Sequence, residues 1–213
     1  TVCTDDVPPD ILLEKGGIIA LLNLLIEHGL PAVDALRFAT LNAAIRLQRH
    51  DLGLTETTLT PAGTERVTLM TLNEVCVLPT GHPLLLKDRL TPQDFAGQNF
   101  ISLSSTDSYR HLLDTLFGEQ GVERRMVMET HSAASVCAMV RAGVGVSIVN
   151  PLTALDYAGN GVHVRPFSID VPFTVSLIRP LHRPSSALVT AFIDHLHQQA
   201  ATFVARLAAA VRR

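Results

Sequence analysis

The sequence lacks both the cysteine pattern of a disulfide framework and an apolar run long enough for a membrane span. It has three cysteines, an odd number for pairing, and no Cys-x-x-Cys motif. Isolated cysteines in apolar stretches are typical of buried thiols in a reducing compartment. The longest apolar run, residues 18–26, is interrupted by Asn23 and is too short to cross a bilayer. These absences predict a cytoplasmic protein with no membrane partner.

Charge is also scarce. Charged residues make up 17% of the chain, and the formal net charge is −3. A protein surface that binds nucleic acid is usually strongly basic, so a large nucleic-acid footprint on this chain is not expected. With 47% hydrophobic residues and a length of 213, the chain is expected to form one large globular domain or two small ones.

The patterns that mark metal, nucleophile and nucleotide chemistry are missing. The pair His195 and His197 cannot share an ion on a helix, because positions i and i+2 point to nearly opposite sides. There is no Gly-x-Ser-x-Gly motif. Gly143 and Gly145 precede a strand, which is the wrong order for a dinucleotide fingerprint, and are better explained by close helix–strand packing. We therefore expect no metal and no cofactor.

Strands and helices alternate after residue 95, which predicts a mostly parallel sheet with helices on both faces. The helical spacing is clearest in one set of apolar residues: Tyr109, Leu112, Leu113, Leu116 and Phe117. We expect Gly118 and Gly121 to end that helix.

Residues 130–151 read as one continuous unit. Ser132 is a natural N-cap for a helix that Gly143 ends. A buried strand over 146–149 follows, and Asn150-Pro151 closes it before a further short helix. The unit thus presents a helix N-terminus with hydroxyl groups, which is a favourable place for an anion.

Two polar loops are candidates for ligand contact, since each follows a strand and precedes a helix. In open α/β sheets, ligands bind beyond the carboxyl ends of strands. Helix capping is the alternative explanation, although it needs only one hydroxyl per helix. The candidate residues are Ser104, Ser105, Thr106, Thr130, His131 and Ser132.

From about residue 48 the sequence resembles LysR-type transcriptional regulators. The resemblance is carried by Glu74–Pro79, Gly81–Leu84, Phe100–Ser104, Thr106–Arg110, Glu129–Pro151 and Phe173–Ala187. It implies an α/β effector domain with a periplasmic-binding-protein-like fold. It further implies that this domain has an incomplete first subdomain and is preceded by a helical segment.

The resemblance also implies boundaries. A partial first effector subdomain would take residues 49–79 and 166–200, and the second subdomain residues 80–165. Residues 201–213 would extend the C-terminal helix. The family's winged helix-turn-helix has no counterpart, so DNA would be contacted only through a missing domain.

Residues 1–48 instead resemble the C-terminal part of adenine deaminases of the amidohydrolase family. The matching stretches are Thr4–Asp6, Leu13–Gly17, Ile26–Pro31 and Ala39–Ala44. The resemblance would make Asp5 a metal ligand, but the family's His-x-His is absent, so a solvated turn is the better interpretation. We hypothesise a chimera joined at residues 51–54, with apolar helices over 17–47 covering the partial subdomain.

The sequence and its resemblances together predict an effector-sensing fragment of a LysR-type regulator of amino-acid (lysine) biosynthesis, which is not an enzyme. The expected partner is a small amino-acid-like effector such as diaminopimelate, and the expected assembly is a homodimer. Two alternatives from other classes stay open. One is an amidohydrolase or adenine deaminase fragment, and the other is a periplasmic-type solute-binding protein.

Overall fold

A computed structural model describes residues 27, 52–56, 59–182 and 184–211 of the chain. Apart from Glu27, which is helical and exposed, the predicted helices over 17–47 lie outside the described residues, as do the candidate ligand Asp5 and the thiol of Cys3. The described strands are β1 Gly53–Thr55, β2 Thr64–Asn73, β3 Val75–Pro79, β4 Asn99–Leu103, β5 Arg125–Thr130, β6 Ser147–Val149, β7 Val162–Pro166 and β8 Pro172–Pro180. The described α-helices are α1 Ser108–Glu119, α2 Ala133–Arg141, α3 Pro151–Tyr157 and α4 Ala187–Val211, and short 3₁₀ helices cover Pro83–Leu86 and Pro92–Phe95.

The chain divides into two compact units. One comprises residues 1–53, 61–65 and 178–185, and the other comprises 54–60, 66–177 and 186–213. In the first unit, Arg179 pairs with Glu65, and the Leu181 amide donates to the Gly63 carbonyl at 2.9 Å. The subdomain boundaries expected from the sequence stay a prediction.

The strands pair in three groups, with orders β1-β8-β2, β6-β3-β7 and β4-β5. β4 and β5 are parallel, as expected for strands joined through a helix. β3, however, runs antiparallel to both β6 and β7, so the expectation of a mostly parallel sheet is wrong for its group. The alternation of strands and helices predicts a parallel direction only for two strands that are joined through a helix. β3 instead follows β2, which belongs to another strand group, so this rule does not set the direction of β3.

The core lies on both faces of β3. Cys76 and Leu78 belong to one buried cluster, and Val75 and Val77 belong to a second. This alternation follows from the two-residue period of a strand, and a strand buried on both sides reads as the continuous apolar run seen in the sequence. Four phenylalanines interlock in the first cluster at centroid distances of 5.7–6.3 Å: Phe95, Phe100, Phe117 and Phe167.

The buried-thiol prediction holds for the two described cysteines. Cys76 and Cys137 are both free and buried. Burial in apolar surroundings raises the pKa of the Cys137 thiol to about 12 and holds that of Cys76 well above its ordinary value. Both thiols are therefore unreactive packing groups at neutral pH.

Local signals in the sequence located most of the helix ends. Ser132 caps α2, and Gly143 follows that helix with a φ of 77°. Gly118, expected to end α1, lies inside the helix, which runs to Glu119. The left-handed turn falls instead at Gly121, where φ is 64°.

The predicted close packing at the second glycine of the 143–145 pair is confirmed. A Cβ atom at Gly145 would collide with the carbonyl oxygen of Asn99 and lie 2.9 Å from its carbonyl carbon. The Val146 amide donates to that same oxygen at 2.9 Å, so this backbone cannot yield without loss of a hydrogen bond.

We expect Gly145→Ala to lower the free energy of unfolding by about 1–3 kcal/mol, the usual range for overpacking a tight site. Urea denaturation measures it. Gly118→Ala is the matched control, because nothing lies within 4 Å of the added methyl. An exposed helical glycine changed to alanine is expected to stabilise by up to about 1 kcal/mol. Equal effects in the two variants would contradict the close-packing argument.

Candidate functional site

Two loops meet at the carboxyl edge of the parallel strand pair. In the β4–β5 register, Leu103 faces Thr130. The first loop (residues 104–106) therefore begins beside the second loop (residues 130–132). Each loop leads into a helix, α1 after the first and α2 after the second. The structure thus brings together the six residues that the sequence singled out.

The first loop is ordered by its own hydroxyl groups. Ser104 is 4% exposed, and its Oγ accepts from the Thr106 amide at 3.3 Å and lies 3.2 Å from the Thr106 hydroxyl. The cap of α1 is a carboxylate instead: Asp107 Oδ1 accepts from the amides of Tyr109 and Arg110 at 2.8 and 3.3 Å. Capping therefore does not explain the hydroxyls of this loop.

Capping does explain one hydroxyl of the second loop. Ser132 Oγ accepts from the Ser135 amide at 3.4 Å, at the N-terminus of α2. Thr130 Oγ1 accepts from the Ser132 amide, also at 3.4 Å. His131 and Ser132 are exposed. This loop presents to solvent a helix N-terminus, which carries partial positive charge.

Arg110 and Glu129 tie the two loops together. Arg110 Nη1 donates to the Ser102 hydroxyl at 2.7 Å, to the Leu103 carbonyl at 3.2 Å and to Glu129 Oε2 at 3.3 Å. Glu129 Oε1 accepts from the Ser105 amide at 3.1 Å. Sequence reasoning did not select either residue, although both lie in the stretches that carry the regulator resemblance. Their bonds set the position of the loop backbone.

Glu74 is a third residue that sequence reasoning missed. It lies between β2 and β3, is 2% exposed, and has a buried Oε2 without a hydrogen-bond partner in the described part of the chain. Burial, with the charges of Asp107 and Glu56, raises the pKa of its carboxyl group from 4.5 to about 8. An unpaired buried carboxyl group is costly and is often found at a functional site.

Two cavities lie elsewhere. One, of about 350 Å³, is lined by α3, β7 and the end of α4 and includes His163 and Arg206. The other, of about 260 Å³, is mainly apolar and includes Leu69, Val175 and Phe203. No residue of either loop lines these two cavities, whereas residues of α4 line both.

The residues that the structure describes contain neither a metal-binding cluster nor a membrane-spanning helix. These residues contain no group of three His, Cys, Asp or Glu side chains placed to hold an ion. The described helices also include none that combines the length and the apolar character needed to cross a bilayer.

Comparison with known proteins gives the family. The LysR substrate binding domain family matches residues 33–201. The chain belongs to this family. Its match begins before residue 48 and so overlaps the segment that resembles adenine deaminases.

Two curated relatives match different parts of the chain. The transcriptional activator protein LysR of Escherichia coli strain K12 is 76% identical over 149 residues, which is 70% of this chain and 48% of the relative. An adenine deaminase of Klebsiella pneumoniae strain 342 is 98% identical over 54 residues, which is 25% of this chain and 9% of the enzyme. The chain thus spans about half of one relative and a small part of the other, which supports the chimera hypothesis.

Solved structures confirm the fold. The CcmR regulatory domain of Synechocystis, solved in complex with 2-PG, superposes with a TM-score of 0.58 at 15% identity. That superposition covers 75% of this chain and 78% of the CcmR domain. A LysR family regulator from Pseudomonas aeruginosa gives 0.60 at 20% identity over 74% of this chain and 55% of the regulator. The periplasmic-binding-protein-like effector fold expected from the sequence is therefore correct.

The raised pKa of Glu74 predicts a pH dependence of stability. A carboxyl group whose folded pKa lies above its unfolded value stabilises the fold when protonated, and this contribution is lost as pH rises from 4.5 toward about 8. We expect the free energy of unfolding to fall across this window by up to about 1.4 kcal/mol per pH unit. Urea denaturation at a series of pH values measures the slope.

Glu74→Gln should remove most of that slope, because the amide cannot ionise. Glu119→Gln is the control, since Glu119 is an exposed residue near the end of α1. An unchanged slope in Glu74→Gln would show that Glu74 ionises normally in the folded chain.

Proposed function

We propose that this chain senses a small amino-acid-like effector on behalf of a LysR-type transcriptional regulator of amino-acid biosynthesis. The observation that carries the proposal is the meeting of the first and second loops at the edge of β4 and β5, where Arg110 and Glu129 hold them together. Membership of the LysR substrate binding domain family supports it.

The anionic end of the effector is the part that these loops suit. The N-terminus of α2 offers backbone amides and partial positive charge beside Thr130, His131 and Ser132. Ser104, Ser105 and Thr106 add hydroxyl groups on the neighbouring loop, where the amides of Ser105 and Thr106 already donate to Glu129 and Ser104. A carboxylate placed between the loops would receive donors from both sides. Diaminopimelate, which carries two α-amino carboxylate groups, is the effector we propose.

The regulatory output would lie beyond this chain. We propose that contact with DNA is made by another domain of the regulator, that the effector domain associates as a homodimer, and that the protein works in the cytoplasm. On this proposal the chain is not an enzyme. Its similarity to E. coli LysR over 149 residues supports a regulatory role. The deaminase match covers 9% of that enzyme and so offers little of its catalytic structure.

Ser132→Asp tests the anion-binding role of the second loop. Aspartate is a good N-cap, so α2 should stay capped, while its negative charge should repel an effector carboxylate at the same helix end. We expect the Kd for meso-diaminopimelate, measured by isothermal titration calorimetry, to rise at least roughly tenfold, which corresponds to about 1.4 kcal/mol.

Ser186→Asp is the matched control. The Ser186 hydroxyl accepts from the Val189 amide at 3.2 Å at the start of α4, so the same change is made at a helix N-terminus outside the two loops. We expect its Kd to equal that of the wild type. Unchanged binding in Ser132→Asp would place the carboxylate elsewhere, and no binding by the wild type would refute the proposed effector.

A further inference from the structure

Glu74 occupies the junction between two strand groups. It follows the last residue of β2 and precedes the first of β3, and its amide donates to the Val171 carbonyl at 2.9 Å. Beside it, Asn73 Nδ2 donates to Asp170 Oδ1 at 2.6 Å. The backbone around the carboxyl group is therefore fixed on both sides, although its Oε2 has no partner among the described residues.

The side chains near Glu74 make the region strongly acidic. Asp107 and Glu56 both act electrostatically on Glu74, and they raise its pKa further beyond the effect of burial. Burial, followed by the charge of Asp107, also raises the pKa of Glu56. No ion pair in the described part of the chain involves any of the three carboxyl groups. Among the described residues, these three acidic groups therefore have no cation paired with them.

The three carboxyl groups differ in their exposure to solvent. Glu56 is exposed, Asp107 is half-buried, and Glu74 is 2% exposed. Tyr109 adds a half-buried ring to this region. Burial, followed by the charges of Glu74 and Glu56, raises the pKa of its hydroxyl group to about 12. A cation bound here would interact favourably with all three carboxyl groups, because each acts electrostatically on the others or on Tyr109.

The chemistry of the region favours an organic ammonium over a metal ion. The described residues include no set of three side chains placed to coordinate a metal. A primary ammonium needs only a few acceptors at hydrogen-bond distance, and Glu74 Oε2, which has no partner among the described residues, can supply one of them. Pairing with a cation would also remove the cost of leaving Glu74 buried and unpaired.

We propose that Glu74, together with Asp107 and Glu56, receives a primary ammonium group of the effector. The inference rests on the proposed function, because Asp107 directly follows the first loop, which is assigned to the carboxylate end of the same ligand. The two assignments together describe a site for a zwitterion. Glu74 is then a specificity determinant that separates amino acids from plain carboxylic acids.

The test compares two ligands that differ only in their ammonium groups. meso-Diaminopimelate and pimelate share a seven-carbon chain and two carboxylates, and pimelate lacks both amines. We expect the wild-type chain to bind diaminopimelate at least roughly tenfold more tightly, as measured by isothermal titration calorimetry at pH 7. In Glu74→Gln this preference should disappear, because the neutral amide cannot pair with an ammonium group.

Two control variants separate the site from general charge and folding effects. Glu119→Gln removes one negative charge from the exposed end of α1 and should keep the wild-type preference. Asp107→Asn removes one of the three acidic groups while keeping a residue that caps α1, so it should reduce the preference without unfolding the helix. Thermal melting of each variant shows whether it is folded.

Proton release gives a readout that a purely structural role would not change. Glu74 is mostly protonated at pH 7 when unpaired, since its pKa is about 8, so pairing with ammonium should expel about one proton per ligand. Titrations in buffers of different ionisation enthalpy should detect it in the wild type and not in Glu74→Gln. Glu119→Gln, which changes an exposed carboxyl group outside the site, should keep the release.

The outcomes separate this inference from the proposed function. If the wild type binds diaminopimelate and pimelate equally, or if Glu74→Gln keeps the preference, the ammonium site is wrong while effector binding stands. If the wild type binds neither ligand at millimolar concentration, both proposals fail. Loss of the preference and of proton release in Glu74→Gln, with both kept in Glu119→Gln, would support the site.

Discussion

The burial of β3 on both faces is the constraint on which the rest of the described structure depends. Its residues alternate between two hydrophobic clusters, so a shift by one position would exchange every side chain between them. The same division continues in neighbouring strands, where Phe100 and Ile148 belong to one cluster and Ile101 and Val149 to the other. The register of these strands is therefore set by packing, and the ends of β4 and β5 are placed accordingly.

The strand ends determine what the loops can do. Because β4 and β5 are parallel and in register at Leu103 and Thr130, their loops leave the sheet side by side. Arg110 fastens this edge through the Ser102 hydroxyl, a backbone carbonyl and Glu129. Such a preformed edge loses little conformational entropy when a ligand binds, which suits a sensor of small molecules.

The second loop and the β2–β3 junction differ in the sign of the charge that their groups can carry. The second loop presents a helix N-terminus, whereas the β2–β3 junction holds Glu74, whose buried Oε2 has no hydrogen-bond partner among the described residues. Asp107 contributes to both features, since it caps α1 and acts on the charge of Glu74. A buried acceptor without a partner is costly for stability, which is consistent with the recognition role proposed for Glu74.

Sequence patterns located individual elements well and longer-range relations poorly. Ser132 and Gly143 revealed the limits of α2, because caps and left-handed glycines depend on a few adjacent residues. The cap of α1 was harder to recognise, since four hydroxyl residues surround Asp107 and each could serve. The six loop residues were predicted to lie at a sheet edge and do so, although their contact with a ligand stays a prediction.

The sequence by itself determined the family, the local elements and the apolar strands, because each of these depends on residues that are close together in the chain. The tertiary structure alone decided the antiparallel direction of β3, the bridge from Arg110 to Glu129 and the burial of Glu74. Each of these depends on groups far apart in the chain: Val75 faces Val149, and Glu74 bonds to Val171. The free energy of a buried charge is set by the surroundings that folding assembles, so no reading of neighbouring residues could have found it.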